Sequence, residues 1–596
     1  MRIKDFFAQN KYPIFLFVVV FVLLSIMFLS LFVAVGDSWR GAPPQLSSSS
    51  YFYYSRIKEI KDGNVFIGNP FFMEHNKEVA PAFFVADWFA AIPLLLGFSF
   101  NFTVIFNTFF WILIYVFLLY FLLRKLNLSQ KFCFIGALLG YASTAFLMLR
   151  PVSMQTVYPF FALFLLAFVM WLKKPFDKKI IIFLISTIVL SFYVYTYLWL
   201  IVLVAVFSTI IYYFFSQKKK QAFYLLGAFS AALIFALPLF IYSHKQISHP
   251  YYWESMIRIG LVNTHLPSAN LVYSGSWVIF IWLLFLLFYL WIKPLAGDRD
   301  YKNLFFFITV TGLSFLVNLS NNIIAGKDLE NSQHFERFII IWLMIALVGF
   351  IYFFFKNIIQ FKNILPIKKI IIFSLLLICS IGAAKYARDG DAYLLYSKEL
   401  NKDFIHSQEY ATPLNWLENN EPEPKVVWVI PHTAQINAYL TFLTKHYSLY
   451  TASGVNSLVS SKEIEERYLT SKYFDNLKQI DLENDYITYA GVGNAIHEYK
   501  THNRKVKICK ILHLDLFNYD CGRITDAISL KGNKYFSGLF NQYQNDIRPN
   551  INQQLKKFHV SYILVDKVNA WPLDMEKINN VKIVFQNGDF LIYKIL

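Results

Sequence analysis

Long apolar runs dominate the first two thirds of this chain, and each is close to the length needed to cross a hydrocarbon core of about 30 Å. They cover 13–35, 102–123, 132–149, 156–172, 180–195, 197–215, 222–241, 276–294, 303–319, 338–355 and 369–387. In lipid a backbone must satisfy its own hydrogen bonds, so such runs fold as helices. The stretch 180–215 would be roughly 54 Å long as one helix, too long for a single crossing, and the break is expected at Tyr195-Thr196-Tyr197. Composition agrees: 57% of residues are hydrophobic and only 16% charged, against about 25% charged in soluble domains. The first run exceeds a signal-peptide core of about 7–15 residues and lacks a small-residue cleavage site, so it reads as a retained anchor.

The net charge of +17 is topological. Basic clusters recur between runs at Arg2/Lys4/Lys11, Arg124/Lys125/Lys131, Lys173/Lys174/Lys178/Lys179, Lys218/Lys219/Lys220, Lys293/Arg299/Lys302 and Lys356/Lys362/Lys368/Lys369. All fall on one side if residues 81–98, interrupted by Asp87 and Pro93, form a helix lying in the interface rather than a span. The positive-inside rule then puts the N-terminus inside. Eleven spans carry residues 388–596 to the outside, beyond a membrane domain of residues 1–387. No motif for reading nucleic acid accompanies the charge. The expected fold is a polytopic α-helical membrane protein with a C-terminal soluble mixed α/β domain, in an inner (cytoplasmic) membrane.

In residues 388–596, strands are expected at 426–430 and 560–565. A closing hairpin should turn at Asn587-Gly588, and helices should fill 461–482 and 541–558. Cys509 and Cys521 are able to pair if this domain meets an oxidising compartment. The domain carries no Gly-rich phosphate loop, metal-spaced Cys/His set or nucleophile elbow, so its expected role is to bind, cap or position something over the membrane part.

Three long outer loops, 36–101, 242–275 and 320–337, hold the candidate chemistry. Asp37 follows the first span and offers a carboxylate for proton abstraction or cation binding; the alternative is a solvated helix end, with Arg40 as its partner. Tyr51 to Ile60 reads as an amphipathic interfacial helix, with Tyr54 at substrate depth and Arg56 able to take a lipid phosphate. Glu74-His75 pairs a carboxylate with an imidazole. Arg150, at the outer end of the third span, either snorkels or holds an anion. His334 and Arg337 share a helix face one turn apart, a pairing suited to phosphate. Trp253, Glu254, Arg258 and His265 add aromatics and charges on the same side.

These features together resemble the GT-C superfamily of membrane glycosyltransferases, which use polyprenyl-phosphate-linked sugars. The likeness lies in an acidic residue after the first span (Gly36-Asp37), a Tyr-rich, Arg-containing helix (Tyr51 to Ile60) and an interfacial helix ending in Leu94-Leu95-Leu96-Gly97-Phe98. About eleven spans and an extracytoplasmic C-terminal domain complete it. The resemblance implies transfer of a sugar from a polyprenyl-phosphate donor to a glycan, lipid or protein acceptor at the outer face. It implies Asp37 as base or, with His334, as ligand of a divalent cation such as Mg or Mn, and Arg56, Arg150, His334 and Arg337 on the donor phosphate. Many relatives carry an Asp ahead of the Tyr-rich helix where this chain has Ser47-Ser48-Ser49-Ser50. If that Asp is the base, Asp37 is a bystander. Two other readings therefore stay open: a transporter or lipid flippase, and a non-catalytic glycan-binding assembly protein.

Overall fold

The computed structural model describes residues 10–47, 49–80, 84–267, 269–291, 299–329, 331–358, 398–433, 435–491, 531–568 and 573–596, with isolated positions between 506 and 516. The membrane part runs α1 (Lys11–Val35), α2 (Ser50–Lys61), α3 (Val85–Leu95), α4 (Phe100–Lys125), α5 (Gln130–Met148), α6 (Ser153–Lys173), α7 (Lys178–Val194) and α8 (Thr196–Phe215). It continues with α9 (Lys219–Ile247), α10 (Tyr252–Ile259), β1 (Leu261–Asn263), α11 (Ala269–Trp291), α12 (Arg299–Leu319), α13 (Asn321–Ala325), β2 (Lys327–Leu329) and α14 (Asn331–Ile358). Every expected span up to residue 355 falls on one of these helices, with 292–294 of the span expected at 276–294 lying outside the described residues. The span expected at 369–387 and the boundary at 387/388 lie outside the described residues.

Among the described residues, eight helices are long and apolar enough to cross a membrane. The 17-residue α7 packs between α6 and α9 as a full member of the bundle. Lipid-facing positions such as Leu29, Phe215, Ile234 and Leu287 stay exposed, while α6 is enclosed on nearly all sides. Local chemistry sets the helix limits. Ser99 accepts from the Phe102 amide (3.2 Å) and Asp177 from the Lys179 amide (2.9 Å), capping α4 and α7. Gly36 ends α1 at φ 47°, ψ −127°, a backbone state that suits glycine. The expected break is a single extended residue, Tyr195 (φ −162°), which ends α7 and starts α8.

Alternation of the spans sorts their ends onto two faces. On one, Asn127 binds Asp300 and Lys173 (2.7 Å for Lys173), joining the α4–α5 turn to α6 and α12. The other face carries α2, α3, α10 and a ribbon in which β1 pairs antiparallel with β2. Helix α3 is shorter than residues 81–98 and packs against α2 and α4 instead of crossing.

Above that second face sits the sheet domain: α15 (Lys398–Asn420), β3 (Val426–Ile430), α16 (Ile436–Leu443), β4 (Tyr447–Ser448), α17 (Ser461–Ser471), β5 (Val560–Asp566), β6 (Val581–Asn587) and β7 (Phe590–Ile595). The strand order is β4-β3-β5-β7-β6; β3 is parallel to β4 and β5, and β7 is antiparallel to β5 and β6. β3 is buried throughout, as a strand flanked on both edges and covered on both faces must be. Asn587 pairs with Phe590, so the hairpin loop is Gly588-Asp589, with positive φ at Gly588. The expected Asn587-Gly588 turn is displaced by one residue because glycine takes the first loop position.

The first loop is built into this domain. Phe71 O accepts from the Ser448 amide (3.1 Å), covering the sheet edge at β4. Phe71 and Phe72 lie in the domain's core, and a Cβ on Gly454 would meet the Phe72 ring at 2.4 Å. Cys509 is disulfide-bonded, while Cys521 lies outside the described residues.

Candidate functional site

A basic and aromatic cluster forms where three helices begin. Arg150 and Ser153 lie at the start of α6, Tyr195 and Tyr197 at the start of α8, and His334 and Arg337 in the first two turns of α14. Because alternate spans run in opposite directions, these N-termini share one face. His334 Nδ1 is hydrogen-bonded to the Tyr195 hydroxyl and lies 3.3 Å from Arg337 Nη1. A guanidinium only donates, so Nδ1 accepts and the neutral ring carries its proton on Nε2. Tyr197 stacks on the imidazole at 4.2 Å with planes 2° apart, and its hydroxyl donates to Leu329 O on β2. Arg150 lies over the Tyr53 ring at 5.4 Å. Arg337 and Arg150 both lie close enough to the Tyr195 hydroxyl to act on it electrostatically. Tyr158 donates to Arg337 O at 3.1 Å, anchoring α14 to α6. The neighbouring Glu336 is turned away, accepting from Ser274 at 2.6 Å.

His334 and Arg337 are thus brought together with Tyr195, while Arg150 lies over Tyr53. Arg56 is committed elsewhere: its Nε and Nη2 reach the two Asp87 oxygens at 2.9 and 2.8 Å, with the pair 3% and 1% exposed. This bidentate pair pins α2 to α3, so Arg56 serves the scaffold rather than a lipid phosphate. Helix α2 is roofed rather than interfacial. Ser55 meets Thr441 at 2.7 Å and Tyr51 packs against Tyr439 and Phe442 of α16. Tyr54, expected at substrate depth, is buried with its hydroxyl on Pro44 O at 3.1 Å. Of the serine run, Ser47 and Ser50 bond each other at the start of α2.

Glu74 and His75 join the loop to the domain. Glu74 accepts from Arg467 at 2.7 Å, and His75 donates to Glu463 (3.0 Å) and Glu78 (2.7 Å). Burial opposes charge on His75, but the two carboxylates outweigh it and raise its pKa to about 9. For Glu463 burial likewise opposes ionisation, and His75 with Arg467 pulls it down to about 2. Arg467 lies between the Phe72 and Phe558 rings at 4.5 and 4.4 Å.

The second loop grips the same domain. Arg258 donates to the carbonyls of Val455 (2.8 Å), Ser457 (2.8 Å) and Val459 (2.5 Å) and to Ser461 Oγ (2.9 Å). Burial pulls its pKa down to about 10. Glu254 accepts from the Ser461 amide at 2.8 Å. Trp253 is exposed, with Lys327 Nζ 3.7 Å above its ring. His265 donates to Ile323 O at 2.9 Å, closing the loop onto α13.

Asp37 is exposed just past α1. Arg40 bonds its carbonyl oxygen (2.8 Å) rather than its carboxylate, which has no polar partner among the described residues. Asp37 and His334, the expected ligands of a divalent cation, are not in contact with each other, and the His334 Nδ1 faces a guanidinium. Among the described residues no group of three or more His, Cys, Asp or Glu side chains converges.

Sequence reading missed Tyr195, which entered only as a helix breaker, along with Tyr53 and Tyr197. Two tyrosines flanking a break between apolar helices on the loop-bearing side were the available signal.

No family model and no curated protein matches this chain. Among solved structures it is similar to the archaeal oligosaccharyltransferase AglB from Archaeoglobus fulgidus, in complex with an inhibitory peptide and a dolichol-phosphate: 11% identity, TM-score 0.41, covering 96% of this chain and 70% of that one. It is also similar to ArnT from Cupriavidus metallidurans bound to undecaprenyl phosphate: 10% identity, TM-score 0.41, covering 97% of this chain and 98% of that one.

Proposed function

We propose that this chain is a membrane glycosyltransferase that takes a sugar from a polyprenyl-phosphate carrier and passes it to an acceptor hydroxyl on the face capped by the sheet domain. The observation that carries this reading is the hydrogen-bonded group of Tyr195, His334 and Arg337 where α8 and α14 begin, with Arg150 at the start of α6 near enough to act on the Tyr195 hydroxyl. Each helix end contributes roughly half a positive charge, and N-terminal backbone amides favour anions. Two guanidinium groups and an imidazole N–H at membrane depth suit a lipid-borne phosphate.

In the proposed step the acceptor oxygen attacks the anomeric carbon. The bond from that carbon to the phosphate oxygen breaks, and the carrier phosphate leaves with the electron pair. Arg150 and Arg337 neutralise the charge as it develops and the His334 Nε2–H donates a hydrogen bond to it, the contribution that usually dominates such transfers. The acceptor's proton goes to a carboxylate, and Asp37 is the proposed base. It is exposed on this face and unpartnered, whereas Glu74 and Asp87 are held by Arg467 and Arg56. The capped face is assigned to the outside of an inner membrane. Basic residues at the far helix ends support this, as does the disulfide at Cys509, a bond of oxidising compartments.

The test is sugar transfer from a polyprenyl-phosphate donor in membranes carrying Arg337→Ala, His334→Ala or Asp37→Asn. Arg337→Ala should lower transfer by about 100-fold or more. Unchanged transfer in all three variants refutes the reading.

A further inference from the structure

Four residues, Leu149 to Val152, reverse the chain between α5 and α6. Val152 adopts φ 59°, ψ −65°, and the Ser153 amide donates to Pro151 O at 2.6 Å. This is the γ-turn of positive φ, the rare and strained form. A branched Cβ makes the conformation a true outlier, and glycine would adopt it freely.

The surroundings hold the turn in place. Val152 is 3% exposed. Its carbonyl accepts from the amide and the hydroxyl of Thr156, and Arg150 O accepts from the Gln155 amide at 3.4 Å. The Gln155 side chain donates to Met148 O (3.2 Å) and Thr108 (3.3 Å), bracing the turn against α5 and α4. Strain that persists because its setting over-determines it clusters at functional sites. Here it lies at the cluster: Arg150, two residues before Val152, lies over the Tyr53 ring.

We propose that Val152 is a positioning residue, whose strained γ-turn fixes the Arg150 guanidinium relative to the hydrogen-bonded Tyr195–His334 pair so that both close on one phosphate. The proposal rests on the phosphate-binding reading above. Glycine at this position frees the turn to relax, whereas isoleucine keeps the branched Cβ and the same restriction.

The experiment compares wild type, Val152→Gly, Val152→Ile and Arg337→Ala as full-length purified protein, measuring affinity for farnesyl phosphate and thermal stability. Val152→Gly should keep the melting temperature and lose about tenfold in affinity, the scale of a small misplacement of a binding group. Val152→Ile should bind as wild type. If Val152→Gly binds as wild type while Arg337→Ala does not, the positioning role is overturned and the phosphate site stands. If Arg337→Ala binds as wild type, the phosphate reading falls and this inference with it. A Val152→Gly chain that unfolds also counts against the proposal, because Val152 then serves the fold.

Discussion

Arginines on the capped face occur in two settings. Arg56, Arg258 and Arg467 are buried and surrounded by acceptors: a bidentate carboxylate, three carbonyls and a hydroxyl, and two carboxylates between aromatic rings. Arg337 is half-buried and reaches an imidazole nitrogen instead of a carboxylate. The first setting spends the positive charge inside the protein. The second holds it in place by neutral groups and leaves it available to an incoming anion. Sequence position alone does not separate the two, since all four arginines lie in or facing polar outer segments.

The largest effect that would break this contrast is on stability. Asp87→Ala leaves Arg56 buried without its counter-ion and should cost about 3–5 kcal/mol, measured by denaturant titration in detergent. A cost near zero would place Arg56 in the second setting. Next, Arg337→Ala should leave the melting temperature within a few degrees of wild type while transfer falls by about 100-fold or more. A large stability loss would move it into the first setting. Tyr195→Phe removes the hydroxyl that orients the His334 ring and should reduce donor affinity by about fivefold, the scale of one neutral hydrogen bond.

The loop-to-domain clamp should respond to pH. His75 has a raised folded pKa, so its contribution is complete below about 6.5 and is lost as pH rises through about 9. Glu463 has a depressed one, so its contribution is complete above about 4.5 and is lost as pH falls towards 2. Thermal stability of the clamp should therefore decline between pH 6.5 and 9, and His75→Gln should flatten that decline. An unchanged slope would show that the contact is not ionic. The smallest effect belongs to Trp253→Ala, which removes an exposed cation–π contact and should cost about 0.5–1 kcal/mol. A larger loss would give that loop a greater structural role.

The periodic and local features were legible in the sequence. Spans follow from run length, the break at Tyr195 from the limit on one crossing, and the shared face of His334 and Arg337 from helical spacing. The closing hairpin was legible to within one residue. Long-range partners were not. Nothing local distinguishes Arg56, which meets a carboxylate 31 residues away on a separate helix, from Arg150, which meets an aromatic ring. Glu74-His75 reads as acid/base chemistry until Arg467 and Glu463, 393 and 388 residues away from their partners, arrive from the domain. Amphipathicity placed Tyr51 to Ile60 on a membrane surface because a second apolar face, supplied by α16, was invisible.

Helix α2 makes the chain hard to divide. Its lower side is fastened to α3 by Arg56 and Asp87, its upper side to α16 through Ser55 and Thr441, and Tyr53 on the same helix lies beneath Arg150. A version shortened before residue 398 would strip the upper support from the helix that carries Tyr53 beneath Arg150. The two halves are therefore not interchangeable modules: a membrane part grafted to a different domain would have to bring its own α16.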